Sequence, residues 1–233
     1  TVFSYRFPVN LDTMGNADLP LRSTQDLLML RLRPLTEHPP RADGCYVLYW
    51  MQQHRRLHHN HALQHAVYRA REHRVPLLIY EAIRVDYPHA SDRHHHFACQ
   101  AMLEHRASLA DHPVGYFPYV EPTPGAGAGL VRTLCAEAVE AITDDVPAFI
   151  VPGHNRALAR IAEARGMRAT AVDGNGLLPI RMLRDPCPSA AVFRRYVHKQ
   201  AAAALAGAPQ PHPIARVALP RFDPAWLEPV RRR

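Results

Sequence analysis

The stretch Tyr46-Val-Leu-Tyr-Trp-Met-Gln-Gln-His-Arg-Arg-Leu-His-His-Asn-His-Ala-Leu63 decides the fold of this chain. An apolar run that ends at Met51 is followed by a polar turn, and apolar residues return at helical spacing after Asn60. This pattern predicts a buried strand joined to an amphipathic helix, which is the unit that builds parallel α/β sheets. Ligands of such sheets bind beyond the carboxyl ends of the strands. We therefore expect functional side chains from Trp50 onwards.

Strand and helix patterns alternate after residue 45. The second apolar run, Val75 to Ile79, is continuous, as in strands that are covered on both faces. Right-handed crossovers then favour an α/β fold with a Rossmann-like, five-stranded parallel sheet, in the order 3-2-1-4-5 with helices on both faces. The pattern predicts strands at about 45–50, 75–81, 114–120, 146–151 and 168–173, and helices at about 60–73, 92–111, 129–142, 154–165 and 188–206.

Composition divides the chain into three parts. Residues 1–40, rich in Pro, Arg and Thr, are predicted to form an irregular leader, and residues 41–206 form the α/β domain. Residues 207–233 are rich in Pro and Ala and are predicted to be a linker or tail leading to another domain. Trp226 and Leu227 are then expected to be exposed, on a surface that the other domain covers.

The overall composition is typical of a compact, soluble domain, with 47% hydrophobic and 21% charged residues in 233. No apolar run approaches the roughly 20 residues that span a bilayer, and the first residues lack a secretory signal. A cytoplasmic protein without a membrane partner is therefore expected. The net charge of +7 favours a polyanionic partner such as DNA, although Arg residues spread along helices are also typical of a solvated surface.

Two further motifs have competing interpretations. The segment Gly125-Ala-Gly-Ala-Gly-Leu130 resembles a phosphate-binding glycine loop, but its spacing differs from G-x-G-x-x-G, which favours a flexible loop. His61 and His65 have a chelating i, i+4 spacing, but no H-E-x-x-H pattern is present, and surface histidines that titrate near neutral pH are the favoured interpretation. No metal site and no catalytic residue are predicted.

The order of several segments resembles the DNA photolyase and cryptochrome family, most closely the class II deoxyribodipyrimidine photolyases. Trp50-Met51, the paired Arg and Asn60-x-Ala-Leu63 are similar to the first strand and helix of that family, with His59 where the family has Asp. The resemblance covers about residues 45–200. Its other segments are Ala90-Ser-Asp-Arg-His-His-His-Phe97, Thr143-Asp-Asp-Val-Pro-Ala-Phe149 and Val172-Asp-Gly-Asn-Gly-Leu-Leu-Pro179.

The resemblance implies the amino-terminal α/β domain of a photolyase, without the helical domain that binds flavin adenine dinucleotide. Such a domain can hold an antenna pigment of the deazaflavin or folate type, and it packs against the helical domain, which binds damaged DNA. The chain is then expected to carry no flavin and to be inactive alone in the repair of cyclobutane pyrimidine dimers. The predicted pigment-binding residues are Trp50, Met51, Gln52, Arg55 and Asn60, with Asp145 and Asn175 at the ends of the fourth and fifth strands.

Other interpretations stay open at this point. Trp50 and Met51 can equally be core residues, and Arg55 can be a solvated or interdomain ion-pair residue. For the whole chain, one alternative is a stand-alone Rossmann-like module that binds a nucleotide or pigment without repair activity. Another is a basic interaction domain that helps a helical partner to dock on DNA.

Overall fold

The computed structural model describes residues 24–183, 186–215 and 217–231, in which helices cover both faces of one sheet. The strands are β1 (Leu32–Pro34), β2 (Tyr46–Met51), β3 (Leu77–Ile83), β4 (Gly115–Val120), β5 (Ala138–Asp144) and β6 (Arg168–Val172). The helices are α1 (Thr24–Arg31), α2 (His61–His73), α3 (Asp92–Leu109), α4 (Leu130–Leu134), α5 (Val151–Glu163), α6 (Ala190–Ala206) and α7 (Glu228–Arg231), with 3₁₀ turns at Ile180–Met182 and Pro224–Leu227.

The sheet has the strand order β1-β6-β5-β2-β3-β4. All neighbours from β6 to β4 pair in parallel, whereas β1 pairs antiparallel to β6 through Leu32 opposite Val172. The predicted α/β class is confirmed, and the five parallel strands stand in the order 3-2-1-4-5 when they are counted from β2. The sheet has one strand more than predicted, because the short edge strand β1 lies in the supposed leader.

Alternate side chains of β2 belong to two separate hydrophobic clusters, one on each face of the sheet. Val47, Tyr49 and Met51 are fully buried against α2, in the same cluster as Leu109 at the end of α3. Tyr46 and Leu48 are buried on the opposite face, in a cluster formed with α4, α5 and the carboxyl-terminal segment. Burial on both faces explains why β2 is apolar throughout, as expected for a central parallel strand.

The predicted position of the fourth strand was wrong. β5 lies at residues 138–144, overlapping the predicted helix 129–142, and residues 146–151 form a turn and the start of α5. Glu140 sits in the middle of β5 with 1% of its surface exposed. Its Oε1 accepts a hydrogen bond of 2.5 Å from Arg69 Nε and lies 2.9 Å from His73 Nε2. Side chains of α2 thus compensate the buried charge of Glu140. Because these partners are distant in sequence, the local pattern around Glu140 did not indicate a strand.

The segment from Thr24 to Pro34 is regular, in contrast to the predicted irregular leader, of which residues 1–23 lie outside the described part. Arg31, only 4% exposed, ends α1 and holds it to the sheet. Its guanidinium donates to the carbonyl oxygens of Asp173, Gly176 and Leu177 at 3.1, 3.0 and 2.8 Å. These bonds attach α1 and β1 to the loop after β6.

The carboxyl-terminal segment packs on the domain, which contradicts the expected exposure of its apolar residues. Leu227 is 4% exposed, and the Trp226 ring lies 5.9 Å from that of Tyr46. The Phe222 ring covers Gly115, where a Cβ atom would come within 2.5 Å of it. Because Gly115 has no side chain, the Phe222 ring can pack directly against its backbone.

Candidate functional site

A cavity of about 620 Å³ opens at the carboxyl ends of β2, β3 and β4. The glycine loop before α4 and the first turns of α5 form its other walls. Five aromatic side chains line it: Trp50, Tyr80, Tyr87, Tyr119 and Phe149. Parallel sheets place their ligand sites at this end of the strands, and aromatic walls are typical of sites for planar ligands.

Trp50, at the end of the central strand, forms one side of an aromatic stack. The imidazole of His154, in the first turn of α5, lies nearly parallel to the indole, with ring centroids 5.2 Å apart and planes inclined by 23°. Tyr80 of β3 lies 6.2 Å from Trp50 on the neighbouring strand. The three rings give the cavity a broad apolar surface.

Hydrogen bonds around Gln52 determine the tautomer of His154. The amide Nε2 of Gln52 donates to Thr143 Oγ1 and to Asn155 Oδ1, at 2.7 and 3.0 Å. Gln52 Oε1 must therefore accept the 2.7 Å bond from His154 Nδ1. Burial, followed by the charge of Arg84, lowers the pKa of His154, so the ring is neutral at neutral pH. Nε2 then carries a lone pair and can accept a hydrogen bond from a ligand.

A buried carboxylate, Glu81, anchors the arginine of the cavity. Arg55 Nη1 donates to Glu81 at 3.2 Å, and the other guanidinium nitrogens donate to the carbonyls of Gln52 and Ala82. Glu81 also accepts from Tyr116 at 2.6 Å and lies 2.9 Å from His105 Nδ1. Burial raises the pKa of Glu81, but these two hydrogen bonds and the charge of Arg55 outweigh it and lower the pKa.

The turn that follows β2 wraps around Asp144, the last residue of β5. Oδ2 of this fully buried carboxylate accepts from the backbone N–H groups of Gln52, Gln53 and His54 at 3.0, 2.7 and 2.9 Å. Oδ1 accepts from the Tyr49 hydroxyl at 2.9 Å. Asp144 thereby orients the residues that enter the cavity.

The glycine loop lies at the cavity, and its backbone donates hydrogen bonds to a carboxylate of the protein itself. Oε1 of Glu121 accepts from the backbone N–H groups of Gly125 and Gly127 at 3.0 and 3.2 Å. Gly125 and Gly129 both have a φ of 84°, a left-handed conformation that glycine adopts without strain. The segment that the sequence favoured as a flexible loop is thus part of the candidate site.

Phe149 marks the mouth of the cavity. It is 59% exposed and has a φ of 61°, which is unusual for an aromatic residue. Its ring meets that of Tyr87 edge to face at 6.1 Å. Arg84 and Arg132 also line this entrance, and both are exposed.

The comparisons with known proteins agree with this architecture. The DNA photolyase family model matches residues 47–215, which is more than half of the chain. The chain belongs to the DNA photolyase family. A curated photolyase, the deoxyribodipyrimidine photo-lyase of Methanothermobacter thermautotrophicus (strain Delta H), is 27% identical over 155 residues. The alignment covers 66% of this chain and 33% of that relative, so the chain spans about a third of the relative's length.

Three of the residues predicted to bind a pigment in this photolyase domain line the cavity: Trp50, Gln52 and Arg55. Their binding role stays a prediction. The other four predicted residues lie at different positions in the fold.

Met51 is fully buried on the opposite face of the sheet, against α2. Asn60, also fully buried, caps α2 by accepting from the backbone N–H of Leu63 at 3.0 Å. Asp145 forms a two-bond ion pair with Arg33, at 2.7 and 2.5 Å. Asn175 donates to the Asp145 carbonyl at 2.6 Å. None of the four is among the residues that line the cavity.

Sequence reasoning missed Tyr80, Tyr119, Glu121 and His154, which all line the cavity of the photolyase domain. The available signal was position, because Glu121 directly follows β4 and His154 lies in the first turn of α5. Within the described ranges, no three His, Cys, Asp or Glu side chains form a group that could hold a metal ion. No helix in the same ranges is long and apolar enough to cross a membrane.

Proposed function

We propose that this chain is the amino-terminal, antenna-type domain of a deoxyribodipyrimidine photolyase that acts in the light-driven repair of cyclobutane pyrimidine dimers in DNA. Its membership of the photolyase family and the name of its relative support this proposal. The catalytic flavin and most of the contacts to damaged DNA then belong to a helical domain, in the same or a separate chain. The α/β domain alone is inactive in repair.

The observation that carries the antenna role is the aromatic cavity at the end of the central strand. Its volume of about 620 Å³ falls within the range of small-molecule sites, roughly 300–1,000 Å³. A deazaflavin or folate pigment has planar rings that match the stack of Trp50 and His154 in shape. The remaining walls are mostly apolar, which is suited to a chromophore shielded from water.

The polar groups of the cavity would orient the pigment. Neutral His154 offers an acceptor at Nε2, which suits a ring N–H group of the pigment. Arg55 has five N–H groups and uses three in the bonds to Gln52, Glu81 and Ala82, so two remain for an acceptor on the pigment. Together they complement a heteroaromatic edge that has both donors and acceptors.

The antenna role is tested by blocking the cavity. Ala98 of α3 lines it, whereas Ala107 lies exposed on the same helix and outside it. Deazaflavin and folate pigments are titrated against the wild type, Ala98→Phe and Ala107→Phe. We expect binding by the wild type and Ala107→Phe, and an affinity at least about tenfold weaker for Ala98→Phe. Equal affinity in all three proteins would contradict the assignment.

The repair role is tested by supplying a helical flavin domain. The chain is mixed with a photolyase helical domain loaded with flavin adenine dinucleotide, and with DNA that contains a thymine dimer. We expect light-dependent repair by the mixture, none by this chain alone, and a pigment band in the action spectrum that Ala98→Phe removes.

A stand-alone nucleotide- or pigment-binding module is the second candidate, which the cavity favours because its volume and aromatic walls suit a planar ligand whether or not a helical domain is present. Ligand binding without any effect on repair by the helical domain would support this candidate and exclude the first.

A further inference from the structure

The glycine loop has the geometry of an anion site, and a carboxylate of the protein occupies it. Successive backbone N–H groups that point into a concave turn attract anions such as phosphate. Here Gly125 and Gly127 donate to Oε1 of Glu121, and the backbone N–H of Val85 donates to Oε2 at 3.2 Å. Glu121 is only 4% exposed. The donors that a phosphate would need are therefore already used.

The loop is also seated firmly against the cavity wall. A Cβ atom at Gly127 would come within 3.1 Å of the Tyr119 ring and 3.5 Å of Glu121 Oε1. Tyr119 and Glu121 both belong to the end of β4 and line the cavity together with the loop. A phosphate at this position would have to displace Glu121 or lie beside its negative charge.

Two of the positive groups nearby have acidic partners of their own. Arg55 pairs with Glu81 at 3.2 Å, and Arg84 pairs with Asp86 at 2.7 Å. Arg132 lies at the exposed entrance. Glu121 therefore contributes a negative charge to the side of the cavity that the glycine loop forms.

We propose that Glu121 is a specificity-determining residue that acts as a built-in anion. Its carboxylate occupies the N–H groups of the glycine loop, so phosphate groups do not bind there. The cavity consequently selects a planar heteroaromatic ligand that carries no phosphate towards this loop. The selectivity rests on the proposed pigment-binding function, whereas the occupation of the loop by Glu121 can be tested without any pigment.

The first experiment uses inorganic phosphate as the probe. Amide resonances of Gly125 and Gly127 are followed by NMR during phosphate titration of the wild type and of Glu121→Ala, after circular dichroism has shown that the variant is folded. We expect no shift in the wild type and saturable shifts in Glu121→Ala. Equal shifts in both proteins, or no shift in either, would overturn the proposal.

The second experiment compares riboflavin with flavin mononucleotide, which differ by one phosphate, and uses Glu121→Gln, which keeps the shape and one acceptor oxygen. We expect the wild type to favour riboflavin and Glu121→Gln to shift the affinity ratio towards the phosphorylated flavin at least about tenfold, because it removes a like charge from a buried site. Glu104→Gln, an exposed change on α3 outside the cavity, serves as the matched control and leaves the ratio unchanged.

The outcomes separate the two proposals. If no flavin binds but phosphate shifts the glycine resonances only in Glu121→Ala, the pigment site is refuted and the role of Glu121 as the occupant of the loop stands. If both flavins bind and their affinity ratio is the same in the wild type and in Glu121→Gln, the role of Glu121 in selectivity is refuted and the pigment site stands.

Discussion

The imidazole of His154 lies stacked on the indole of Trp50, with ring centroids 5.2 Å apart, at the point where the central strand meets the aromatic cavity. The second tryptophan, Trp226, lies elsewhere, against Tyr46 and Phe222. Of the two tryptophans in the chain, one is thus inside the candidate site and one outside it.

This difference predicts a fluorescence signal for pigment binding. In Trp226→Phe the emission comes from Trp50 alone, and we expect a bound pigment to quench most of it, because the pigment lies against the ring. In Trp50→Phe the emission of Trp226 should fall much less at the same pigment occupancy. Similar quenching of both tryptophans at equal occupancy would argue against binding beside Trp50.

Adjacent aspartates should differ sharply in their effect on stability. Asp144→Asn weakens a buried carboxylate that accepts three backbone hydrogen bonds and one from Tyr49, and we expect a loss of about 2–4 kcal/mol. Asp145→Asn removes a partly exposed ion pair with Arg33 and should cost about 0–1 kcal/mol. Urea unfolding of both variants measures the difference, and equal losses would show that Asp144 does not anchor the turn.

The stability of the domain should fall in mild acid because of buried histidines. Burial, followed by the charges of Arg31, Arg56 and His54, lowers the pKa of His61 to about 3 from 6.5. Between these values the unfolded chain binds a proton that the native protein does not, so stability decreases as the pH falls below 6.5.

Replacement of His61 by Phe should remove this contribution. We expect the loss of unfolding free energy between about pH 6.5 and 5 to be roughly 1–2 kcal/mol smaller than in the wild type. The range stays above pH 4.5, the ordinary pKa of glutamate, so Glu81 contributes little to it. His94→Phe, at an exposed position, is the control and should retain the wild-type slope.

Gly174 should not tolerate a side chain. A Cβ atom there would lie 2.8 Å from the His54 ring, which is itself 8% exposed. We expect Gly174→Ala to cost about 1–3 kcal/mol in thermal or urea unfolding, and His54→Ala to relieve most of that additional cost in the double variant. Gly153→Ala has no neighbour closer than 4.0 Å and should be neutral or slightly stabilising. Additive effects of the Gly174 and His54 changes would refute the contact.

The sequence predicted β2 and β3 from their unbroken apolar runs. β2 is apolar throughout, and β3 begins with four apolar residues, Leu77 to Tyr80, before the buried Glu81, because both strands are covered on both faces. β5 is equally buried but contains Glu140, whose compensation by Arg69 and His73 comes from another element. The position of β5 could therefore not be predicted from local periodicity, because it depends on contacts between distant residues.

The residues of the candidate site were likewise predicted only in part. Trp50, Gln52 and Arg55 were predicted because they follow the central strand, and all three line the cavity. Asn60 was included for its place in the motif, but its side chain caps a helix and is fully buried.

The sequence by itself determined the α/β class, the central strand and the family of this protein, because hydrophobic period and local motifs are carried by neighbouring residues. Only the tertiary structure decided which side chains share the cavity. His154 and Glu121 reach it from α5 and from the end of β4, elements that meet β2 only after the strands have paired in their final order. The packing of Phe222 onto Gly115 is likewise a contact between distant residues, and its energy depends on shape that no local pattern encodes.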